Sequence, residues 1–335
     1  MLPALLEKLK RHENLTVEEA RRAMGAVMDG EATPVQIAGL LMALALKGER
    51  AGEMAGLATA MRARSARLPR AVGPTFDTCG TGGDGADTFS ISTAAALVLA
   101  GCGVRVAKHG NRAASSRSGS ADVFEALGIA LDASPERVCT ALEEGCAFFF
   151  APMWHPSMKH AAPVRRELGV RTAFNLLGPL TNPAGPSRQL VGVSRPEQTE
   201  LLARSLGDLG SERAWVVHGA DGLDEISTTG YTKVSEFRHG AVRTFYVHPA
   251  DADLPIATVR DLAGGDASAN AAMVHGVLTG DLGPRRDVVL LNAAASLLIA
   301  DRAGTLREGV LLAARAIDSG RARAALDSLR RVCGR

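Results

Sequence analysis

Residues 77–103 read DTCGTGGDGADTFSISTAAALVLAGCG. A short strand-like stretch ends near Cys79, glycines crowd positions 80–85, and an alanine- and leucine-rich run follows Ser92. This order predicts a strand, a glycine-rich turn and a helix, as in α/β proteins. Glycines let the backbone approach a phosphate closely, and free N–H groups at a helix start add donors and partial positive charge. The stretch therefore predicts an α/β unit whose loop suits an anion.

The glycine-rich turn matches neither of two common nucleotide-binding motifs. No Gly-Lys-Ser/Thr follows at the spacing of a Walker loop, and Asp84 occupies the wrong place for a dinucleotide-binding loop. Alone, such a turn is more often structural than functional.

A second polar stretch changes that balance. Residues 108–120, KHGNRAASSRSGS, follow the strand-like VRVA and precede the helix-like ADVFEALG. They suit either a mobile surface loop or a lining for a multi-oxygen anion such as pyrophosphate. Two such loops in one α/β domain would face each other at the sheet edge, which favours the anion. The hydroxyls would come from Ser92, Ser115, Ser116, Ser118 and Ser120, and the charge from Lys108 and Arg112.

The rest of the chain divides by pattern. Residues 1 to about 66 read as helices, with capping boxes at Thr16–Glu19 and Thr33–Gln36. After residue 70, apolar stretches alternate with helical segments, which predicts an α/β domain with a largely parallel central sheet. These strand-like stretches are VRVA, FFFA, QLVGV, AWVVHG, VRTFYV and VVLLNAAASLLIA.

Two domains are expected from this division. Residues 1–70 would form a small all-helical domain, and residues 71–335 a larger α/β domain that carries the two polar loops. Residues 158–186 interrupt the alternation with a helical piece and a Pro/Gly-rich loop, and we expect them to rejoin the N-terminal helices in space. The helical domain carries surplus apolar surface, so it should pack on something besides itself.

Composition excludes several classes of protein. With 335 residues and 46% hydrophobic residues, the chain is neither disordered nor fibrous. A net charge of +2 supplies no long-range field for nucleic acid or an acidic membrane surface. The N-terminus lacks a signal-peptide pattern, and no apolar stretch is long enough to span a bilayer. The five scattered cysteines lack CxxC spacing, which fits a reducing cytoplasm without zinc or disulfides.

Several long motifs, in order along the chain, closely resemble the anthranilate phosphoribosyltransferase family. They are GTGGDG, SIST, KHGNRAASSRSGSADVFEALG, HPSMKHAAPVRRELGVRTAFNLLGPLTNPAG, GLDEIS, GGDASANAAMV and RDVVLLNAAASL. The resemblance runs essentially end to end. It implies a helical domain joined to an α/β domain similar to that of pyrimidine nucleoside phosphorylases, and a homodimer formed through the helical domain.

The resemblance also implies an activity. The 5-phosphoribosyl group of phosphoribosyl pyrophosphate (PRPP) would be transferred to the amino group of anthranilate, in tryptophan biosynthesis, with release of pyrophosphate. Such a protein needs to stabilise the pyrophosphate charge, align the amine and exclude water. No general acid, general base or covalent nucleophile is expected, and the implied cofactor is Mg²⁺, as two ions.

Residue roles carried over by motif form three groups. PRPP would be bound by Gly80, Gly83, Asp84, Thr88, Ser90, Ile91, Ser92, Thr93, Lys108, Asn111, Ser115, Ser116 and Ser120. Anthranilate would be bound by Gly80, His109, Asn111 and Arg165, whose guanidinium suits a carboxylate. Metal would be held by Ser92, Asp224 and Glu225, whose oxygens Mg²⁺ prefers. Where the family typically reads NTFNIST, this chain reads DTFSIST, so Ser90 predicts looser PRPP binding.

Two alternatives stay open at this point. One is a pyrimidine nucleoside phosphorylase-like enzyme on the same fold, which KHGNRAASSRSGS and VRRELGVRT disfavour. The other is a nucleic-acid-binding paralogue, which the balanced charge and the Asp224-Glu225 pair disfavour. His155 and His160 are expected to be structural, and Cys79 to be a small buried apolar residue.

Overall fold

The N-terminal part of the molecule is helical. The structure is a computed structural model that describes residues 1–113 and 117–335. Its first four helices are α1 (Leu2–Lys10), α2 (Val17–Met28), α3 (Pro34–Lys47) and α4 (Ala51–Ala63). Both predicted capping boxes are present, because Thr16 and Thr33 accept from the N–H groups of Glu19 and Gln36, whose side chains accept in return. The caps fix the starts of α2 and α3 as the sequence predicts.

The remaining chain builds one seven-stranded sheet with helices around it. The strands are β1 (Phe76–Gly80), β2 (Val106–Gly110), β3 (Cys146–Phe150), β4 (Arg188–Gly192), β5 (Arg213–Gly219), β6 (Thr232–Arg238) and β7 (Ala241–Val247). The helices are α5 (Ile91–Gly101), α6 (Ser120–Ala126), α7 (Pro135–Glu143), α8 (Ala151–Trp154), α9 (Ala162–Leu168), α10 (Phe174–Leu177), α11 (Gln198–Asp208), α12 (Ala267–Thr279), α13 (Pro284–Ile299), α14 (Leu306–Asp318) and α15 (Arg321–Cys333).

The sheet is largely parallel, as predicted. Its order is β3-β2-β1-β4-β5-β6-β7; the first five strands are parallel, β6 pairs antiparallel with β5, and β7 pairs antiparallel with β6. The chain runs outward from β1 to β3 and then returns to the other side of β1 with β4. Such a reversal opens a crevice at the carboxyl ends of the strands. The loops after β1 and β2 both leave the sheet at that edge.

Two strand assignments made from the sequence need correction. VVLLNAAASLLIA is not a strand but most of α13, which is buried on nearly all sides. A continuous apolar run does not distinguish a buried helix from a buried strand, although thirteen residues exceed the usual strand length. Strand β6, which pairs with β5 along its full length, was not among the predicted strands. Its letters, TKVSEFR, mix charged and apolar residues.

Two hydrophobic clusters hold the elements together. The first packs α5 and α12–α15 against the sheet. The second joins α1–α4 to β4, β5 and α11, and it includes Ala161, Val164 and Phe174 from the interrupting segment. Helix α9 contacts α3, and α10 contacts α4. Among the described residues, no helix is both long and apolar enough to cross a membrane.

Candidate active site

A cavity of about 700 Å³ lies at the carboxyl edge of the sheet. One wall is formed by the glycine loop, residues 80–85, and the start of α5, and another by the end of β2. The segment that carries α9 and α10 forms the opposite wall, and Asp224 and Glu225 reach the cavity from the loop after β5. The crevice that the sheet topology predicts is therefore present as a cavity that a small molecule can enter.

The cavity brings together the described residues to which the sequence assigned a role. They are Gly80, Gly83, Asp84, Thr88, Ser90, Ile91, Ser92, Thr93, Lys108, His109, Asn111, Arg112, Ser118, Ser120, Arg165, Asp224 and Glu225. Ser115 and Ser116 lie outside the described residues. The shared cavity supports one site but does not by itself assign a role to each residue.

Two glycines of the loop are required by their neighbours. A Cβ at Gly80 would overlap the Asp224 carboxylate. Gly83 adopts a φ of +75°, and a Cβ there would overlap the guanidinium of Arg171. Gly80 is therefore needed for the close approach of Asp224, and Gly83 is needed both for the close approach of Arg171 and for its positive φ.

The acidic pair is held by main-chain donors. The N–H of Gly82 donates to Asp224 Oδ2 over 2.8 Å, and the N–H of Ser92 donates to Glu225 Oε1 over 3.1 Å. These bonds connect the loop after β5 to the glycine loop and to the first turn of α5. Ser90 precedes that turn at the N-cap and makes no capping bond with its side chain.

The carboxyl groups are crowded and poorly solvated. Desolvation, reinforced by Asp84, raises the pKa of Asp224 to about 7. Desolvation and the neighbouring Asp224 raise the pKa of Glu225 to about 8. A divalent cation would favour both ionised forms, because it supplies the missing opposite charge.

The same residues fit Mg²⁺ only with help from a ligand. No group of three or more His, Cys, Asp or Glu among the described residues is arranged to hold a metal. Mg²⁺ is commonly held by one or two carboxylates together with water and substrate phosphates. Ser92, Asp224 and Glu225 supply oxygen donors of the right kind for that arrangement.

Lys108 is a buried cation beneath the loops. It is 1% exposed, and its ammonium donates to Thr78 O over 2.5 Å and to Ser92 Oγ over 3.1 Å. Arg112 instead pairs with Asp122 and Glu125 at 2.7 and 2.8 Å. Its charge is already balanced, so Arg112 adds less positive charge to the lining than the sequence predicts.

His109 presents a neutral ring to the cavity. Its Nδ1 lies 3.1 Å from Gly178 O, and only a protonated Nδ1 can donate to a carbonyl. Burial, assisted by His155, lowers the pKa of His109 to about 3. The Nε2 atom of His109 is buried and has no hydrogen-bond partner among the described residues. With Nδ1 protonated, Nε2 is an unpaired acceptor on a residue of the cavity wall.

The two neighbouring arginines of α9 differ in placement. Arg165 lines the cavity, is partly buried, and lies with its guanidinium carbon 4.9 Å from the centre of the Phe174 ring. Burial lowers the pKa of Arg165. Arg166 is exposed. The structure thus places Arg165, rather than its neighbour, in the cavity wall.

Among the cavity residues to which the sequence assigned no site role, three make informative contacts. His155, expected to be structural, lines the cavity with its ring centre 5.3 Å from that of His109. Asn270 accepts from the Gly265 N–H over 2.8 Å and thereby supports the turn that pairs with Thr88. Arg171 donates to Gly82 O over 2.9 Å. Asn270 and Arg171 lie in motifs that carried the resemblance, GGDASANAAMV and VRRELGVRT, and this was their only signal.

Family models match both parts of the chain. The helical bundle domain of a glycosyl transferase family matches residues 3–65, and the α/β domain of that family matches residues 72–323. The two matches together extend over most of the chain.

Curated relatives match over nearly their whole length. The anthranilate phosphoribosyltransferase of Symbiobacterium thermophilum is 56% identical, covering 98% of this chain and 97% of that protein. The enzyme of the same name from Moorella thermoacetica is 55% identical, with the same coverage.

Solved structures show the same fold. The anthranilate phosphoribosyltransferase of Thermus thermophilus superposes with a TM-score of 0.92 at 47% identity, covering 98% of both chains. The Saccharomyces cerevisiae enzyme in complex with PRPP and Mg superposes with a TM-score of 0.90 at 27% identity, covering 99% of this chain and 97% of that one. The yeast enzyme in complex with 4-fluoroanthranilate gives a TM-score of 0.86 at 25% identity, covering 99% and 98%.

Proposed function

Because this chain belongs to the anthranilate phosphoribosyltransferase family, we propose that it transfers the 5-phosphoribosyl group of PRPP to the amino group of anthranilate. The products are N-(5-phosphoribosyl)anthranilate and pyrophosphate, and the reaction serves tryptophan biosynthesis. The observation that carries the proposal is the single cavity that joins the glycine loop, the end of β2 and the acidic pair. It is a pentosyl-transferring enzyme that needs no nucleophilic side chain.

The glycine loop and the start of α5 form the PRPP side of the cavity in this proposal. The substrate is highly anionic, and main-chain N–H groups at a helix start suit phosphate oxygens. Lys108 positions Ser92 through its 3.1 Å hydrogen bond and adds a buried positive charge beneath the phosphates. The buried hydroxyls of Thr81 and Thr93 have no partner among the described residues, which fits a ligand rich in acceptors.

Ser92, Asp224 and Glu225 would hold Mg²⁺, in keeping with the metal in the yeast enzyme's PRPP complex. We propose that these oxygens would hold two Mg²⁺ ions. When bound, the metal neutralises charge on the departing pyrophosphate. The raised pKa values of Asp224 and Glu225 support the assignment, because both carboxylates lack a nearby cation sufficient to keep them ionised.

Anthranilate occupies the opposite wall in this proposal. Arg165 would pair with its carboxylate, and Asn111 would contact the ring substituents from the end of β2. His109 Nε2 would accept a hydrogen bond from the amino group, which would orient the nitrogen lone pair toward the ribose. Positioning of this kind is the main requirement of the reaction, because the aniline nitrogen is a weak nucleophile.

We also propose that the protein is a cytoplasmic homodimer. Each chain would consist of a helical domain, residues 1–70, and an α/β domain, residues 71–335. Val35 and Leu46, both on α3, are 82% and 76% exposed. Exposed apolar side chains on one helix of the helical domain suit burial against a second copy. Neither nucleic acid nor a membrane is a proposed partner.

One assay separates this function from the alternatives. The protein is mixed with PRPP, Mg²⁺ and anthranilate, and the loss of anthranilate fluorescence is followed. A parallel arm supplies a pyrimidine nucleoside with inorganic phosphate, and a third measures binding to single-stranded DNA. We expect turnover only in the first arm. Phosphorolysis or DNA binding without loss of anthranilate would contradict the proposal.

A further inference from the structure

Arg171 connects the two walls of the cavity. It lies between α9 and α10, on the wall that carries Arg165, and its Nη1 donates to Gly82 O over 2.9 Å. The fit is so close that any side chain at Gly83 would displace this guanidinium. A residue of the acceptor side therefore touches the backbone of the glycine loop directly.

The second terminal nitrogen of Arg171 is a buried donor. This atom, Nη2, has no hydrogen-bond partner among the described residues. An unpaired buried donor is unfavourable, and the cost is greater for a charged group. Desolvation and Arg195 both lower the pKa of Arg171, whereas Asp84 and Asp224 oppose that shift. The Arg171 guanidinium is thus partly desolvated, lies near the carboxylates of Asp84 and Asp224, and has one unpaired donor, Nη2.

Two other cations of the wall already have partners. The ammonium of Lys108 donates to Thr78 O and Ser92 Oγ, and Arg112 is paired with Asp122 and Glu125. Among the described cations that line the cavity, only Arg171 has a buried side-chain nitrogen without a partner. This buried unpaired donor therefore lies at the glycine loop, where the proposed function puts the pyrophosphate group.

We propose that Arg171 Nη2 binds the pyrophosphate group of PRPP from the side opposite α5, while Nη1 keeps its bond to Gly82 O. This inference rests on the proposed function. In the transfer, the amine nitrogen forms a bond to C1 of the ribose, and the C1–O bond breaks with its electron pair leaving on pyrophosphate. The amine nitrogen releases one proton to solvent. Arg171 then faces an increased negative charge, so its contact strengthens as the bond breaks.

Arg171→Gln and Arg166→Gln form a matched pair for the test, because both remove a guanidinium from the same short segment. Binding of inorganic pyrophosphate with Mg²⁺ is measured by calorimetry for the full-length protein, and anthranilate binding by fluorescence. We expect pyrophosphate binding to weaken about tenfold or more in Arg171→Gln, as for a lost charge-assisted hydrogen bond. Arg166→Gln should match the wild type, and anthranilate affinity should change less than about twofold in both.

Arg171→Lys tests the second nitrogen itself. Lysine keeps the charge and can still donate to Gly82 O, but it lacks the planar fork that serves two acceptors. Pyrophosphate binding weaker than wild type in Arg171→Lys, in a protein with unchanged thermal unfolding, supports the contact. Wild-type pyrophosphate affinity in Arg171→Lys, or equal affinity in the two glutamine variants, would overturn it. Absence of transfer from PRPP by the wild type would instead contradict the proposed function.

Discussion

The main-chain N–H of Ser92 donates a hydrogen bond to Glu225 Oε1 over 3.1 Å, joining the first turn of α5 to the loop after β5. The two residues are 133 positions apart in the chain, and the bond brings a helix start and a carboxylate to one point. A helix N-terminus stabilises the ionised carboxylate, yet desolvation and Asp224 still raise the pKa of Glu225 to about 8. The described residues thus supply too little positive charge to keep the acidic pair fully ionised at neutral pH.

The first prediction concerns that acidic pair. Asp224→Asn together with Glu225→Gln removes the carboxylates and keeps their shape. We expect transfer to fall about 100-fold or more while the thermal unfolding temperature changes little, and excess Mg²⁺ to restore part of the activity. Initial rates over a range of Mg²⁺ concentrations give the comparison, with the exposed Asp208→Asn as control. Near-normal activity at low Mg²⁺ would show that the pair does not hold metal.

A second prediction concerns the anthranilate carboxylate. Arg165→Ala should raise the KM for anthranilate and leave PRPP binding nearly unchanged, because the lost charge faces only the acceptor. Arg166→Ala is the matched control, since that side chain is exposed. Steady-state kinetics with each substrate varied in turn measures both effects. If PRPP affinity falls and anthranilate affinity does not, Arg165 lies on the wrong side of the cavity for this role.

Ser90 offers a gain-of-affinity prediction. Ser90→Asn supplies an amide donor and acceptor to the PRPP side and should tighten PRPP about two- to tenfold, the worth of one neutral hydrogen bond of about 0.5–1.5 kcal/mol. Anthranilate binding should not change. Calorimetric titration with PRPP and Mg²⁺ compares the two proteins.

The structure also indicates how the Ser90 prediction would fail. Ser90 is the N-cap residue of α5 and makes no side-chain capping bond, whereas Asn is a favourable cap. Unchanged or weaker PRPP binding together with a higher unfolding temperature would mean that the new amide caps α5 rather than contacting the ligand.

His109 gives a prediction about pH. Its folded-state pKa of about 3 lies below the ordinary value of 6.5, so the unfolded chain takes up a proton that the folded protein does not. The contribution of His109 to the free energy of unfolding should therefore be complete above pH 6.5 and fall as the pH drops from 6.5 toward 3, whereas the raised pKa values of Asp224 and Glu225 act in the opposite direction over that range. At pH 5 this one group should lower the free energy of unfolding by about 2 kcal/mol.

Histidine ¹⁵N NMR measures that protonation state directly. We expect the His109 ring to stay neutral, with its proton on Nδ1, throughout the range from about pH 7.5 down to about pH 5. A ring that titrates near its ordinary pKa of 6.5, or a proton on Nε2, would contradict the hydrogen bond to Gly178 O and the role of Nε2 as an acceptor.

The parts of the fold that the sequence predicted are those with strong local signals. The capping boxes of α2 and α3 end in specific hydrogen bonds between residues three positions apart, so they can be recognised without tertiary contacts. Burial of α13 on nearly all sides removed the helical periodicity that would have distinguished it from a strand. The charged residues of β6 likewise interrupt the apolar pattern by which a strand is recognised. This strand pairs with β5 on one side and β7 on the other, and a sequence alone does not show these pairings.

The site was predicted through ordered motifs rather than through local chemistry. A glycine loop and an Asp-Glu pair are common in sequences, and nothing in their spacing shows that Gly82 and Asp224, 142 positions apart, share a hydrogen bond of 2.8 Å. Arg171 and Asn270 act through contacts with the backbone of loops. Contacts of that kind leave no periodicity or composition by which a single sequence could reveal them.

One phosphoribosyl group should pass to anthranilate for each pyrophosphate released. Both quantities are measured in the same reaction, anthranilate by its fluorescence and pyrophosphate by a coupled phosphate assay, with PRPP and Mg²⁺ in excess. We expect a ratio of one to one, and no pyrophosphate release when anthranilate is left out. Pyrophosphate released without loss of anthranilate, or no release under any of these conditions, would contradict it.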